Sequence, residues 1–233
     1  MELNVAKEAV TRWDVDALNA LEAVFEDMPE VDKIICAGDL VGFGPRPNEV
    51  IEAMKKKNVL CVQGNHDHAV INKKVGSFDE ETAKAIKWTW KNLKKENLNY
   101  LKKIRKKTKI NEEGYEIFMT HGTPRNHLKE SLFPGASKRA LVNMTQGVKA
   151  DIIVLGHTHV PLEQTIQGKL IVNPGGVGQP RDRNPDASYM VLKLGDEKEL
   201  THSRVSYDID TTAQEIKNVG LPEKLAIRLH FGW

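Results

Sequence analysis

The stretch KIICAGD, residues 33–39, decides how this chain is read. Ile34, Ile35, Cys36 and Ala37 form an unbroken apolar run that is too short for a helix and stops at Gly38. Such a run, ended by a glycine turn, has the pattern of a strand buried on both faces. Three more stretches have the same form: NVLCVQGNHDH (58–68), EIFMTHGTP (116–124) and IIVLGHTH (152–159). Working outward, strands are expected at Lys33–Ala37, Val59–Gln63, Glu116–Thr120, Ile152–Leu155, Lys169–Val172, Ser188–Leu194 and Thr201–Tyr207. Helical spacing of apolar residues predicts helices at Ala17–Met28, Pro47–Lys57, Glu80–Lys95, Asn97–Lys103, Lys138–Val148, Thr211–Val219 and Pro222–Leu229. Strands alternating with helices indicate an α/β protein built on a layered sheet.

A chain of 233 residues can bury its own core without disulfide or metal support. No internal repeat or low-complexity linker divides it, so residues 1–233 are read as one domain, with 1–16 an atypical opening segment. Hydrophobic residues make up 40% and charged residues 28%, which argues against a wholly disordered chain. No apolar run nears the ~20 residues of a membrane span. The opening MELNVAKEAV carries acids where a signal peptide has an apolar stretch. A cytoplasmic protein with no membrane partner is expected. Cys36 and Cys61 sit inside apolar runs and read as buried free thiols, in keeping with a reducing compartment. The absence of a G-x-S-x-G elbow and of a Walker loop argues against serine hydrolases and P-loop NTPases.

The net charge of +2 is unevenly spread: residues 84–109 carry +10 and the rest of the chain −8. A basic block beside an acidic body can attract phosphate-bearing ligands, nucleic acid included. Ile86, Trp90, Leu93, Leu98, Leu101 and Ile104 fall at helical spacing within that block, so a helix pair with a solvated lysine face is the favoured reading.

Chemistry concentrates where four of the strands end. In an open α/β sheet, ligands bind outside the carboxyl ends of the strands, so these four loops are expected to converge. Together they supply Asp39, Asn65, His66, Asp67, His121, His157 and His159. Any one of these could be a turn former or a strand-end polar group. Jointly, carboxylate, amide oxygen and imidazole form a donor set suited to Mn, Fe, Ni, Co or Zn. His157 and His159 would point oppositely on an extended strand, so a turn is needed for both to serve one site.

In their order, Gly38-Asp39, Gly64-Asn65-His66-Asp67, Thr120-His121-Gly122 and Gly156-His157-Thr158-His159 resemble the motifs of the calcineurin-like metallophosphoesterases. Flanking stretches such as LVGFGPRPNEVIE and NPGGVGQPRDRNPDASY are similar to those of a prokaryotic single-domain subgroup. The resemblance implies two mixed sheets packed as a sandwich between helices, and one or two divalent metals per chain. It implies hydrolysis of phosphodiester or phosphomonoester bonds of a small molecule or nucleotide. By resemblance, Asp39 bridges two metals, Asn65, His121 and His157 complete one site, and His159 serves the other. His66 resembles the histidine that contacts the phosphate and protonates the leaving oxygen, with Asp67 as its orienting partner. Arg125 and Arg181 follow site loops and are further candidates to reach a phosphate.

The opening of the chain departs from that family. Its members begin with a strand that ends in an Asp-x-His loop, whereas TRWDVDALNALEAV has no histidine and at best offers Asp14 and Asp16. Val10, Trp13, Ala17, Leu21, Val24 and Met28 are spaced as on an amphipathic helix. Residues 1–12 are therefore expected to be helical or irregular, the second metal to be held weakly, and Asp14 and Asp16 to be surface residues. On that basis a catalytically impaired, metal-binding relative acting as a scaffold is an alternative. Nucleic-acid binding through residues 84–109 is a second.

Overall fold

Side chains alternate along the strands and thereby build three apolar layers. The computed structural model describes residues 6–11 and 17–233. In chain order it comprises β1 (Ala6–Thr11), α1 (Leu18–Asp27), β2 (Lys33–Cys36), α2 (Pro47–Lys56), β3 (Leu60–Cys61), α3 (Asn65–Asn72), α4 (Glu80–Asn92) and α5 (Lys95–Lys103). It continues through β4 (Lys107–Glu112), β5 (Tyr115–Thr120), α6 (Lys138–Thr145), β6 (Ile152–Val154), β7 (Leu162–Ile166) and β8 (Lys169–Asn173). The last elements are β9 (Ala187–Leu194), β10 (Lys198–Val205), α7 (Ile209–Asn218) and α8 (Glu223–Phe231). One sheet has the order β10-β9-β1-β2-β3 and the other β4-β5-β6-β8-β7. Both are mixed: β1, β2 and β3 run parallel, as do β5, β6 and β8, with antiparallel strands at the flanks.

Ile35 from β2, Ile117 and Met119 from β5, Ile152 and Val154 from β6, Leu170 and Val172 from β8, and Met190 and Leu192 from β9 fill the space between the sheets. Their neighbours point the other way. Cys36 and Tyr189 face α1, α2 and α5 through Leu21, Val24, Ile51, Met54 and Leu101. Phe118, Ile153 and Ile171 face Leu141 of α6. The period of two thus turns continuous apolar runs into a four-layer helix–sheet–sheet–helix sandwich. Each fully buried Ile, Leu, Val or Met contributes about 1.5–3 kcal/mol relative to exposure.

Local signals place the helices. Asp79 caps α4 by accepting the Thr82 amide at 3.0 Å, and Glu80 and Glu81 occupy the positive end of the helix dipole. Pro47 opens α2, where the missing N–H costs nothing. Within the basic stretch, Ile86 and Leu101 are fully buried, and Trp90, Leu93, Tyr100 and Ile104 pack against the same cluster.

Within the stretch 1–12, expected to be helical or irregular, the described residues Ala6–Thr11 form β1, a central strand of the first sheet. Its register pairs Val10 with Ile35 and Thr11 with Cys36 on one side, and Val10 with Met190 on the other. The Ala, Lys and Glu of AKEAVT favour a helix locally, and pairing to strands on both edges overrides that weak preference. The family's first strand is therefore present. Strand β4 was hidden because lysines occupy its solvent face, and β7 because it is a polar edge strand. The segment after β3, expected as a loop, opens α3 at Asn65.

The central position of β1 makes a direct expectation. Ala9 pairs with Ile34 and Val191, so Ala9→Pro removes a ladder donor from a strand bonded on both edges. The variant should lose at least ~3 kcal/mol of stability in urea unfolding. A loss within ~0.5 kcal/mol, as for an irregular surface segment, would contradict this strand assignment.

Candidate metal centre

A single buried carboxylate organises the loops that carry the donors. Asp67, at the third residue of α3, accepts four backbone amides: Gly64 at 2.9 Å, Asp39 at 2.9 Å, Leu40 at 2.8 Å and Val41 at 3.2 Å. The Gly64 bond caps α3 and the other three fasten the loop after β2 against it. Burial first, and the Asp39 carboxylate second, raise the Asp67 pKa above the ordinary carboxylate range, while the amide donors from Gly64, Leu40 and Asp39 work against them. Glycine is required where the loops touch, because a Cβ on Gly64 would overlap the Asp39 carboxylate. The resemblance makes Asp67 the orienting partner of His66; the bonds seen here go to backbone amides and hold the loop that carries His66 in position.

Four donor atoms meet above this stitch. His121 Nε2 lies 3.1 Å from Asp39 Oδ2, 2.8 Å from Asn65 Oδ1 and 3.2 Å from His157 Nδ1. His157 Nδ1 is 3.0 Å from Asn65 Oδ1. The second ring nitrogen of His121 is 2.8 Å from the Ala37 carbonyl, which can only accept, so Nδ1 carries the proton and Nε2 presents a lone pair in the neutral ring. A proton between two of these atoms serves only that pair. A divalent cation serves all four, and spacings near 3 Å are those of donors about 2.0–2.2 Å from a shared ion. Asp39, His121 and His157 also form a metal-competent cluster whose ligand atoms all lie within 4.8 Å of one another. The residues present fit a transition metal.

His159 is buried, and its Nδ1 donates to the Gln179 carbonyl at 2.7 Å, so the neutral ring carries its lone pair on Nε2. The needed turn between the two histidines exists: His157 has φ 70° and His159 φ 61°. Asp39 is also left-handed, at φ 60°. Three non-glycine residues in that sparsely populated region, all at one site, are backbone strain that the surrounding bonds maintain. Asn173, at the end of β8, does part of this by donating to the Gly156 carbonyl at 2.7 Å and the Thr158 hydroxyl at 3.0 Å.

His66 donates its backbone amide to Asp39 Oδ1 at 2.9 Å, which turns Oδ2 toward the donor cluster. Its ring packs between Phe43 and Phe78, at centroid distances of 4.3 and 5.1 Å. Asp39, Asn65, His66, His157, His159 and Arg181 all line a cavity of about 710 Å³. Arg181 stands 5.9 Å from the centre of the Phe43 ring. Arg125 is placed differently from expectation: its guanidinium is paired with Glu130 and it is not part of this lining. Asp14 and Asp16 lie outside the described residues. The backbone carbonyls of Ala37 and Gln179 and the walls formed by Phe43 and Phe78 carry no motif, and were not legible beforehand. Asn173 was legible only as part of a glycine-rich turn.

The stitch has a measurable consequence. Asp67→Ala leaves four backbone donors without their acceptor and should cost at least ~3 kcal/mol. Asp67→Asn, which faces amide donors with an N–H, should also be destabilised. Both variants should bind Mn²⁺ at least ~10-fold more weakly in calorimetric titration, because Asp39 and Asn65 lose their mutual position.

Residues 14–197 match the family model described as the calcineurin-like phosphoesterase superfamily domain. An uncharacterized protein of Methanocaldococcus jannaschii is 35% identical over 92% of this chain and 93% of its own length. A probable metallophosphoesterase of Methanothermobacter thermautotrophicus is 27% identical over 76% of this chain and 77% of its own. The crystal structure of a metallophosphoesterase from Sphaerobacter thermophilus superposes with a TM-score of 0.85 at 32% identity, covering 99% of this chain and 100% of that one. Ordered motifs, sandwich fold and matched family domain agree: the chain belongs to the calcineurin-like phosphoesterase superfamily.

Proposed function

We propose that this protein is a metal-dependent phosphoesterase that hydrolyses phosphodiester or phosphomonoester bonds of a small molecule or nucleotide. The observation that carries the reading is the meeting of Asp39, Asn65, His121 and His157 donor atoms at about 3 Å spacing beside the 710 Å³ cavity. Asp39, Asn65, His121 and His157 would hold one divalent ion, and Asp39 with His159 would contribute to a second, manganese being our first choice. Such ions supply charge for the phosphoryl oxygens and lower the pKa of an attacking water.

The remaining steps fall to the chain itself. Asp67 keeps Asp39, Asn65 and His66 in register, so the site is assembled before the substrate arrives. His66 lines the cavity, reaches the phosphate and gives its proton to the leaving oxygen as the P–O bond to that oxygen breaks and a water oxygen forms the new one. Phe43 and Phe78 hold its ring in place. Arg181 lends positive charge to the phosphate from the same lining. The reading of an impaired scaffold rests on the missing Asp-x-His motif; β1 supplies a strand ahead of that position, and Asp14 and Asp16 lie outside the described residues. A cytoplasmic site of action fits the two buried free thiols, Cys36 and Cys61. Among the described residues, no helix is long and apolar enough to cross a membrane.

Two measurements test the proposal. Hydrolysis of bis(p-nitrophenyl) phosphate should disappear in EDTA and return with added Mn²⁺. His66→Gln should lower kcat by ~10²–10⁴-fold while bound metal, counted by elemental analysis, stays unchanged. Turnover indifferent to chelation would overturn the metal role. Turnover unchanged in His66→Gln would remove His66 from the mechanism.

A further inference from the structure

Part of the cavity is not used by the hydrolysis just described. Lys74, which follows α3, and Lys129, between β5 and α6, both line it, and both are exposed. His68 lines the cavity with them, and its proton affinity is depressed by burial first and then by the charges of Lys106, Lys129 and Lys74. Two ammonium groups from two chain segments therefore line one side of the cavity, beside one imidazole.

Some surface lysines are paired with acids. Lys84 pairs with Glu80 at 2.7 Å, Lys109 with Glu116 at 2.7 Å and Lys55 with Glu52 at 2.9 Å. Among the described residues, no carboxylate comes within 4.0 Å of Lys74, Lys106 or Lys129. Acids close by in sequence are already engaged. Glu130 is taken by Arg125 and Thr123, and Asp79 by the cap of α4. Although burial opposes it, the Thr82 amide and hydroxyl hold Asp79 at a pKa of about 2. Asp79 lines the cavity and keeps its negative charge, but Lys74, Lys129 and Arg181 there outnumber the acids Asp39 and Asp79, and the excess favours an anion.

The cavity also presents Phe78, whose ring meets the His66 edge and is only partly buried. An aromatic face accepts a nucleobase whatever its identity. A volume of about 710 Å³ is far more than one phosphate needs, and lies within the ~300–1,000 Å³ of sites that enclose whole organic ligands.

Building on the phosphoesterase reading, we infer that the substrate is a nucleotide phosphodiester carrying a second phosphate, which Lys74 and Lys129 bind while a base stacks on Phe78 and the scissile phosphate meets Asp39, Asn65, His121 and His157. The lysines act on binding, so their effect falls on KM more than on kcat.

The test compares cleavage of the internal bond of the dinucleotide ApA with that of its singly phosphorylated forms pApA and ApAp, in Mn²⁺ at low salt. At least one phosphorylated form should have a KM about 10-fold lower than ApA, an advantage that shrinks as salt rises. Lys74→Ala/Lys129→Ala should abolish that advantage, and Lys74→Arg/Lys129→Arg should keep most of it. Lys95→Ala/Lys102→Ala removes the same charge from α5 and should leave the ratio intact. Phe78→Ala should lower kcat, as the His66 ring loses one wall, and raise KM for ApA and its phosphorylated forms by a common factor. Equal KM for all three dinucleotides, equal loss of the advantage in both alanine pairs, or no dinucleotide cleavage by protein that turns over bis(p-nitrophenyl) phosphate would each overturn this substrate class. Those results leave the phosphoesterase reading standing. Failure to hydrolyse bis(p-nitrophenyl) phosphate as well would sink both.

Discussion

The site depends on one carboxylate accepting four backbone amides. Asp67 holds Gly64, Asp39, Leu40 and Val41 at 2.8–3.2 Å, joining the start of α3 to the loop after β2. A carboxylate is suited to this because each of its oxygens accepts more than one donor and both are buried with them. The join positions Asp39 Oδ1 to receive the His66 amide and leaves Oδ2 for the donor cluster. Two functional side chains are thus placed by a residue that touches neither the cavity nor the donor atoms.

The second constraint is electrostatic. Donor atoms of a carboxylate, an amide and two imidazoles crowd within about 3 Å of one another, and three residues there have left-handed backbone. Such an arrangement is costly without a cation at its centre. It persists because the sandwich on either side is well filled and because Ala37, Gln179 and Asn173 tie down the rings and the turn. The folding energy comes from the apolar layers, and the strain is concentrated at the strand ends where a ligand can relieve it.

Much of this was legible from patterns of short range. The apolar runs at 33–37, 116–120 and 152–155 became parts of β2, β5 and β6, and their polar ends became site loops. Asp79, Glu80 and Pro47 marked helix starts. What misled was residues 6–11, where helix-forming residues and a helix-like apolar spacing lie in a strand paired on both edges. Asp67 was legible as a motif residue, but its partners were not, because four backbone amides have no sequence signature. Arg125 was near a site loop in sequence and is paired away from the cavity in space.

The sequence by itself determined the layered α/β architecture, the four motif-bearing strand ends and the donor types, because alternation, turn residues and metal preferences are properties of short segments. Tertiary structure alone decided that AKEAVT is a central strand, that Asp67 serves the backbone, and that Lys74 and Lys129 line the same cavity as His68. Those outcomes depend on contacts between segments distant in the chain. The energy of such a contact is set by its partner, and no local stretch encodes it.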